Sequence, residues 1–299
     1  MILESFISKT IVGFSTFRSL PITDFNMIPI EDFHEDIIGK AARGLGISKN
    51  ELADEAGLTI ERINALLNGE VDEEAIRALA PVLELDGEKL VVSANKAWRP
   101  KDHATEGLFQ ANTPYHDMLV NAFLLWDPIS GKAAVFDTGT DCGPILEQIN
   151  QRNLSVETVL ITHTHGDHVA DLDRLLSETG HPPVYANRLE PHPGAELIDA
   201  GWTLDLGSLS LRALLTSGHS VGGTSYLVNG LAQPVVVVGD ALFAGSMGGG
   251  VTSFTDALRN NREKLMNLPD DTIVCPGHGP ISTIAEEKKA NPFFPEFKW

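Results

Sequence analysis

Residues 162–168 read Thr162-His163-Thr164-His165-Gly166-Asp167-His168, THTHGDH, and they follow the apolar run Val159-Leu160-Ile161. A buried strand thus ends in three imidazoles and a carboxylate, groups that are costly to bury unless each finds a partner. In an extended chain residues i and i+2 face the same way, so His163 and His165 can grip one ion. Gly166 permits a sharp turn, after which Asp167 and His168 start a helix and point toward a neighbouring ion. A solvated turn that happens to be rich in histidine is the other reading of these seven residues taken alone.

The rest of the chain decides between the two. LRALLTSG leads to His219, PVVVVG to Asp240 and TIVCPG to His278. Four strand-like runs therefore end at His163, His165, Asp167, His168, His219, Asp240 and His278. Seven such groups are more than one tetrahedral ion can use, and a common sheet edge would gather them. The pattern points to two ions.

The order HxHxDH, GH, GD, GH, from about Leu119 to the C-terminus, resembles that of the metallo-β-lactamase fold hydrolases. TSGHSVGGTSYLV, GDALFAGSMGG and LPDDTIVCPGHGPISTIAEEKKANPFF are similar to the glyoxalase II-like thioesterases within that group. The resemblance implies an α/β (α+β) fold, an αβ/βα sandwich of two mixed sheets with helices outside and the site along one edge. It implies one ion on His163, His165 and His219 and a second on Asp167, His168 and His278, with Asp240 bridging. Two divalent ions per chain are expected, Zn²⁺ foremost, with Fe²⁺ and Mn²⁺ open. Even one Zn²⁺ brings a bound water to a pKa of about 7, so a shared water would supply hydroxide for attack on a carbonyl. Asp167 is the expected catalytic residue, orienting that nucleophile and accepting its remaining proton. The substrate expected is a small-molecule thioester, or a related ester or lactone. Persulfide dioxygenases share the motif, and on that reading a single Fe²⁺ would use His163, His219 and Asp240. One loop departs from the family: Gly245–Gly250 reads GSMGGG where GS-[IM]-GR-x-D is common, so its basic and acidic residues are missing.

Composition sets outer bounds. The 299 residues are 42% hydrophobic, as in a folded globular chain, and the net charge is −19. That acidity makes nucleic acid or an anionic membrane surface an unexpected partner. Cys142 and Cys275 lie far apart and form no CxxC, which fits a reducing compartment. The start, MILESFISKTIVGFSTF, lacks a basic leader region, and no run approaches the ~20 apolar residues of a membrane span. A cytoplasmic location is the expectation.

The chain changes character near Ala97–Asp102, dividing it into an N-terminal region, 1–97, and a catalytic region, 98–299. Within the first, a helical module is expected at about 36–92. Ser48 can cap KNELADEA, closed by Gly57; Thr59 can cap IERINALLN, closed by Gly69; Asp72 can begin EEAIRALAPVLEL, which Pro81 should kink or break. The run from Gly46 to Leu85 resembles the small helix-turn-helix domain of phage-repressor-type regulators, which implies a recognition helix at Thr59–Asn68. A transcriptional regulator that senses a ligand through its metal domain is the corresponding alternative function. However, residues 35–90 carry 13 acidic against 6 basic side chains, and Thr59–Asn68 offers only Arg62 for phosphates. A packing role, or a homodimer through the module, is the expectation instead.

In the second region VNAFLLWD and KAAVFDTG read as a hairpin, SVETVLITH as a buried strand, DHVADLDRLLSETG as one helix and PPVYAN as a strand. LSLRALLTSGH, GTSYLVNG, PVVVVGDALF and TIVCPGHG read as further strands, with ALRNNREKLMNL a helix. His34, His103, His181 and His192 read as surface residues, Tyr226 as sheet packing and Cys275 as a small hydrophobe. Tyr115 and His116 precede the first clear strand, where a loop over the site is open to them.

Overall fold

The computed structural model describes residues 27–298, so the N-terminal stretch read above for a leader lies outside the described residues. Five short helices come first: α1 (His34–Leu45), α2 (Lys49–Ala56), α3 (Ile60–Leu67), α4 (Glu73–Leu79) and α5 (Gly87–Ala94). Their ends have local chemical causes. The Ser48 hydroxyl accepts from the Glu51 N–H at 3.3 Å, and the Glu51 carboxylate accepts from the Ser48 N–H at 2.8 Å. This reciprocal box satisfies donors that a first helical turn leaves free. Thr59 and Asp72 accept from the N–H groups of Arg62 and Ala75 in the same way. Gly57 closes α2 in the left-handed region at φ 65°, and α4 stops at Leu79, two residues before Pro81.

Strands and helices then alternate. First come β1 (Leu108–Tyr115), β2 (Met118–Trp126), β3 (Lys132–Phe136), α6 (Gly143–Arg152) and β4 (Ser155–Leu160). After them run α7 (Gly166–Val169), α8 (Leu172–Thr179), β5 (Val184–Asn187), β6 (Glu196–Ile198), β7 (Thr203–Leu206) and β8 (Leu209–Leu215). The last stretch holds β9 (Thr224–Asn229), β10 (Val235–Gly239), α9 (Phe254–Asn260) leading into a π turn (Asn261–Leu265), β11 (Ile273–Pro276), β12 (Ser282–Thr283) and α10 (Ile284–Ala290). Two six-stranded sheets result, ordered β1-β2-β3-β4-β5-β6 and β12-β11-β10-β9-β8-β7. Both are mixed, with β3 to β6 parallel in the first and β10 parallel to β11 in the second.

Side-chain alternation builds the layers. Leu160 of β4 joins Phe123, Phe136, Tyr226 and Cys275 in the core between the sheets, whereas Val159 and Ile161 face α6 and α8 with Ile145 and Leu175. In β10, Val235 and Val237 point into the shared core and Val236 and Val238 point out of it. The outcome is the αβ/βα sandwich expected from the sequence. Each fully buried large apolar side chain contributes about 1.5–3 kcal/mol, so these layers dominate the favourable energy.

Helices from the N-terminal region join the outer side of the second sheet, with α1 against α9 and α5 against α10. Ile37, Ile63, Leu79 and Leu90 share one cluster with Val236, Val274, Phe254 and Phe293. Of the apolar stripe on α2 and α3, Leu52, Ile63 and Leu66 are buried in that cluster and Leu67 packs against it. Lys89, fully buried, donates to the carbonyls of Lys288 (2.8 Å), Asn291 (3.4 Å) and Phe294 (2.9 Å), in the last turn of α10 and the segment after it.

Several local expectations need correction. β1 begins at Leu108, ahead of the first strand read from the sequence, because LFQANTPY mixes polar residues and a proline into an edge strand. DHVADLDRLLSETG is two helices. Asp171 breaks it, its carboxylate accepting from the Cys142 N–H at 2.8 Å while its own N–H donates to Thr138 Oγ1 at 3.2 Å. The helix read at ALRNNREKLMNL starts earlier, at Phe254, where Ser253 caps the Asp256 N–H at 3.2 Å. His34 is buried, not at the surface, since its Nε2 lies 3.1 Å from the Glu70 carbonyl and ties α1 to the end of α3. His103 is half-buried on Glu286 at 2.7 Å, and His181 is exposed as read.

Candidate metal centre

All seven ligand-type residues lie together at one edge of the sandwich, where strands of both sheets end. His163 and His165 follow β4, Asp167 and His168 sit in α7, His219 follows β8, Asp240 follows β10 and His278 follows β11. The edge is stitched across the sheets. Thr224 N–H donates to Thr162 O at 2.9 Å, Tyr226 Oη to Ile161 O at 2.9 Å, and Asn121 N–H to Gly277 O at 2.7 Å. Tyr226 thus packs as expected and also holds the end of β4. Tyr115 closes β1 with its hydroxyl 3.6 Å from where a Cβ on Gly166 would stand, which places it over the HxHxDH turn.

The nitrogens of one group converge on one point. His219 Nδ1 donates to the Gly249 carbonyl at 3.0 Å, and His163 Nδ1 lies 3.1 Å from Thr162 Oγ1, which itself donates to Asp137 at 2.7 Å. Both rings therefore turn a bare Nε2 inward, and each of these lies 3.0 Å from His165 Nδ1. Burial keeps His163 and His219 below the ordinary imidazole pKa, so they stay neutral. Two nitrogen lone pairs and the His165 Nδ1 meet at one point, an arrangement that a cation can satisfy.

The second group meets around two carboxylates. His168 Nε2 lies 3.5 Å from Asp167 Oδ2 and 3.4 Å from Asp240 Oδ1, and His278 Nε2 lies 3.3 Å from Asp167 Oδ2. Asp240 Oδ2 stands between the groups, 3.3 Å from His219 Nε2 and 3.5 Å from His278 Nε2. His168 Nε2 and Asp240 Oδ1 are buried without a hydrogen-bond partner. Burial opposes the charged forms of His168 and His278, yet the facing carboxylates outweigh it and raise them to about 10 and about 11. Asp240 is correspondingly held well below the usual carboxylate range: burial opposes this, and His278 and His168 overcome it. The pocket demands positive charge. Three overlapping donor sets can hold it: His163, His165 and His219; His163, His168 and Asp240; and Asp167, His168 and His278. His165 is exposed and His219 half-buried, so the cluster opens to solvent on their side.

The metallo-beta-lactamase superfamily model matches residues 117–278, more than half of the chain. The chain belongs to that superfamily. Among relatives, it is 30% identical over 213 residues to the probable metallo-hydrolase YqgX of Bacillus subtilis, spanning 62% of this chain and 96% of that one. It is 30% identical over 201 residues to the hydroxyacylglutathione hydrolase GloC of Haemophilus influenzae, spanning 58% and 92%. Among solved structures, the di-iron-bound form of TTHA1623 superimposes with a TM-score of 0.50 at 26% identity, over 62% of this chain and 99% of that one. The matched segment starts beyond the five N-terminal helices, which therefore stand outside the superfamily's own pattern.

Two residues of this metallo-β-lactamase site escaped the sequence reading. Asp137, just after β3, accepts from His168 Nδ1 at 2.8 Å and from the Thr162 N–H at 2.8 Å. It adopts the left-handed region at φ 56°, uncommon for a non-glycine residue. Glu190 accepts from the Thr164 N–H at 2.7 Å and the Gly222 N–H at 2.9 Å, joining the loops that carry His165 and His219. An acid directly after the apolar run AAVF was the available signal for Asp137; Glu190 left none. Outer partners of this kind fix ring orientation, and losing one typically costs about 10–100-fold in metal affinity. Asp137→Ala is expected to weaken metal binding by that factor, measured by chelator competition. Unchanged affinity would remove Asp137 from the site.

Proposed function

We propose that the protein is a dinuclear metallo-hydrolase acting on a thioester, or on a related ester or lactone. The observation that supports this is Asp240, whose Oδ2 lies within 3.5 Å of imidazoles from both groups, so that its carboxylate could serve an ion in each. His163, His165 and His219 would hold one divalent ion and Asp167, His168 and His278 the other. Bound divalent ions supply a water ionised near neutral pH and polarise the substrate carbonyl. The chain's own groups do the rest. Asp167 is kept ionised, since His278 and His168 overcome the effect of its burial, and its carboxylate can orient the attacking water and take up its proton. The second oxygen of Asp167 is not needed by His278 and stays available for that task. A thiolate can leave without protonation by a separate acid, because a thiol is far more acidic than an amine, which favours a thioester over an amide. The likeness to the Haemophilus hydroxyacylglutathione hydrolase supports the thioester, and the di-iron form of the structural neighbour supports two ions. The metal is expected to be zinc, with iron the main competitor.

Metal analysis and a thiol-release assay on acyl-glutathione and acyl-coenzyme A conjugates test the reading. About two ions per chain and hydrolysis that chelators abolish are expected. Hydrolysis by the metal-free protein, or a single iron with oxygen uptake on glutathione persulfide, would overturn it. On the same reading the N-terminal helices do not read DNA. Arg62, the one base on α3, is forked onto Asp72 at 2.8 and 2.9 Å, leaving its charge compensated.

A further inference from the structure

The arm before α1 and α1 itself touch the metal centre at two points. Gly279, next to His278, faces the arm so closely that a Cβ on it would lie 3.4 Å from the Glu31 nitrogen and 3.6 Å from the Pro29 carbonyl. Asp32, buried at 6% exposure, accepts from Ser246 Oγ at 2.7 Å and is ion-paired with Lys40 of α1. Lys40 Nζ also donates to the Met247 carbonyl at 3.0 Å and sits 5.0 Å from the centre of the Phe243 ring.

Ser246 and Met247 belong to the loop that connects two proposed ligands. The loop leaves Asp240 and reaches Gly249, whose carbonyl orients His219 through Nδ1 at 3.0 Å. It runs tightly against both, since a Cβ on Gly248 would come 2.0 Å from the Asp240 carbonyl and 3.2 Å from His219 Nδ1. Its sequence, GSMGGG, brings almost no side chains of its own to fix the path. The fixing comes from outside. Glu287 accepts from the Gly245 N–H at 3.1 Å and Asn291 Nδ2 donates to the Ser246 carbonyl at 2.7 Å, both from the α10 side. From the other side Asp32 holds Ser246 and Lys40 holds Met247.

We propose that the Asp32–Lys40 pair is a positioning clamp: by holding Ser246 and Met247 it sets the path of residues 243–249, and through that path the orientation of His219 and the place of Asp240. The N-terminal segment is then a working part of the metal centre. A buried ion pair contributes little net stability once its desolvation is counted, and its use lies in directed hydrogen bonds, here to a loop of glycines. This inference rests on the reading that His219 and Asp240 bind metal.

The test uses the full chain and the double variant Asp32→Asn/Lys40→Met, which removes both charges and leaves none uncompensated. Zn²⁺ affinity by competition with a chromophoric chelator is measured beside the melting temperature of the metal-free protein. The affinity of the ion at His163, His165 and His219 should fall by about 10–100-fold, as for other outer partners, with a much smaller change in metal-free melting. Lys40→Arg should retain near wild-type affinity. Arg77→Ala, which cuts exposed pairs to Glu73 and Glu88, should leave it unchanged. Wild-type affinity in the double variant, with or without a lower melting temperature, would overturn the clamp while leaving the metal centre intact. A wild-type protein that binds no metal would instead sink the reading beneath it.

Discussion

Asp240→Asn is expected to leave the fold intact and to reduce bound metal from about two ions per chain to at most one. The substitution keeps the side chain's size and removes its charge. Asp240 faces His168, His219 and His278 at 3.3–3.5 Å and His163 at 4.0 Å, so its charge is shared by both groups of proposed ligands. An amide there offers one neutral oxygen in place of a carboxylate and turns an N–H₂ donor toward some of these groups. Loss of a direct contact should exceed the roughly 10–100-fold that an outer partner costs, and kcat/KM for thioester hydrolysis should fall by more than that. Metal content by mass spectrometry and thiol release measure the two effects. Two tightly bound ions and full turnover in the variant would remove Asp240 from the centre.

The second large effect comes from a methyl group. A Cβ on Gly277 would lie 2.1 Å from Asp240 Oδ1, 2.8 Å from His168 Cε1 and 3.1 Å from the Gly239 carbonyl carbon. The backbone cannot retreat, because the Gly277 N–H is bonded to Gly239 O at 2.8 Å and its carbonyl to the Asn121 N–H at 2.7 Å. Gly277→Ala should therefore displace Asp240 and His168 from their donor positions while the sheets persist. We expect circular dichroism close to wild type, at most one ion bound and activity lowered by more than about 100-fold, beyond the usual cost of an outer-partner loss. Gly87→Ala, at the start of α5 and away from the centre, is the control. Its methyl would meet nothing nearer than Ala80 Cβ, at 3.4 Å, and should be tolerated. Full metal loading and activity in Gly277→Ala would show that the cluster has slack the packing denies.

The clustering of the seven residues was readable because each proposed ligand follows an apolar strand, and strand ends are local signals. The caps at Ser48, Thr59 and Asp72 were readable for the same reason, since a cap and its donor lie within three residues. What stayed hidden is non-local. Nothing near His34 tells that Glu70, 36 residues away, will bury it. Lys40 and Met247 are 207 residues apart, and no spacing rule joins them. Asp171 looked like one more helical acid until its bonds to Cys142 and Thr138 turned it into a break. The outer-shell residues Asp137 and Glu190 belong to this class too, as acids whose duty is set by which loops the fold brings beside them.

The buried Lys89 carries a consequence for how the chain matures on the ribosome. Its partners lie 199 to 205 residues downstream, and the β10 and β11 side chains that cover its helical neighbours are also made late. At about 5–20 residues per second of synthesis, that separation corresponds to roughly 10–40 s. During this interval the five helices have emerged with an uncovered apolar face and an unpaired ammonium group. Nascent chains should therefore recruit a holding chaperone until the last strands are released, and slowing translation between residues 100 and 270 should lower the yield of folded protein more than slowing it elsewhere.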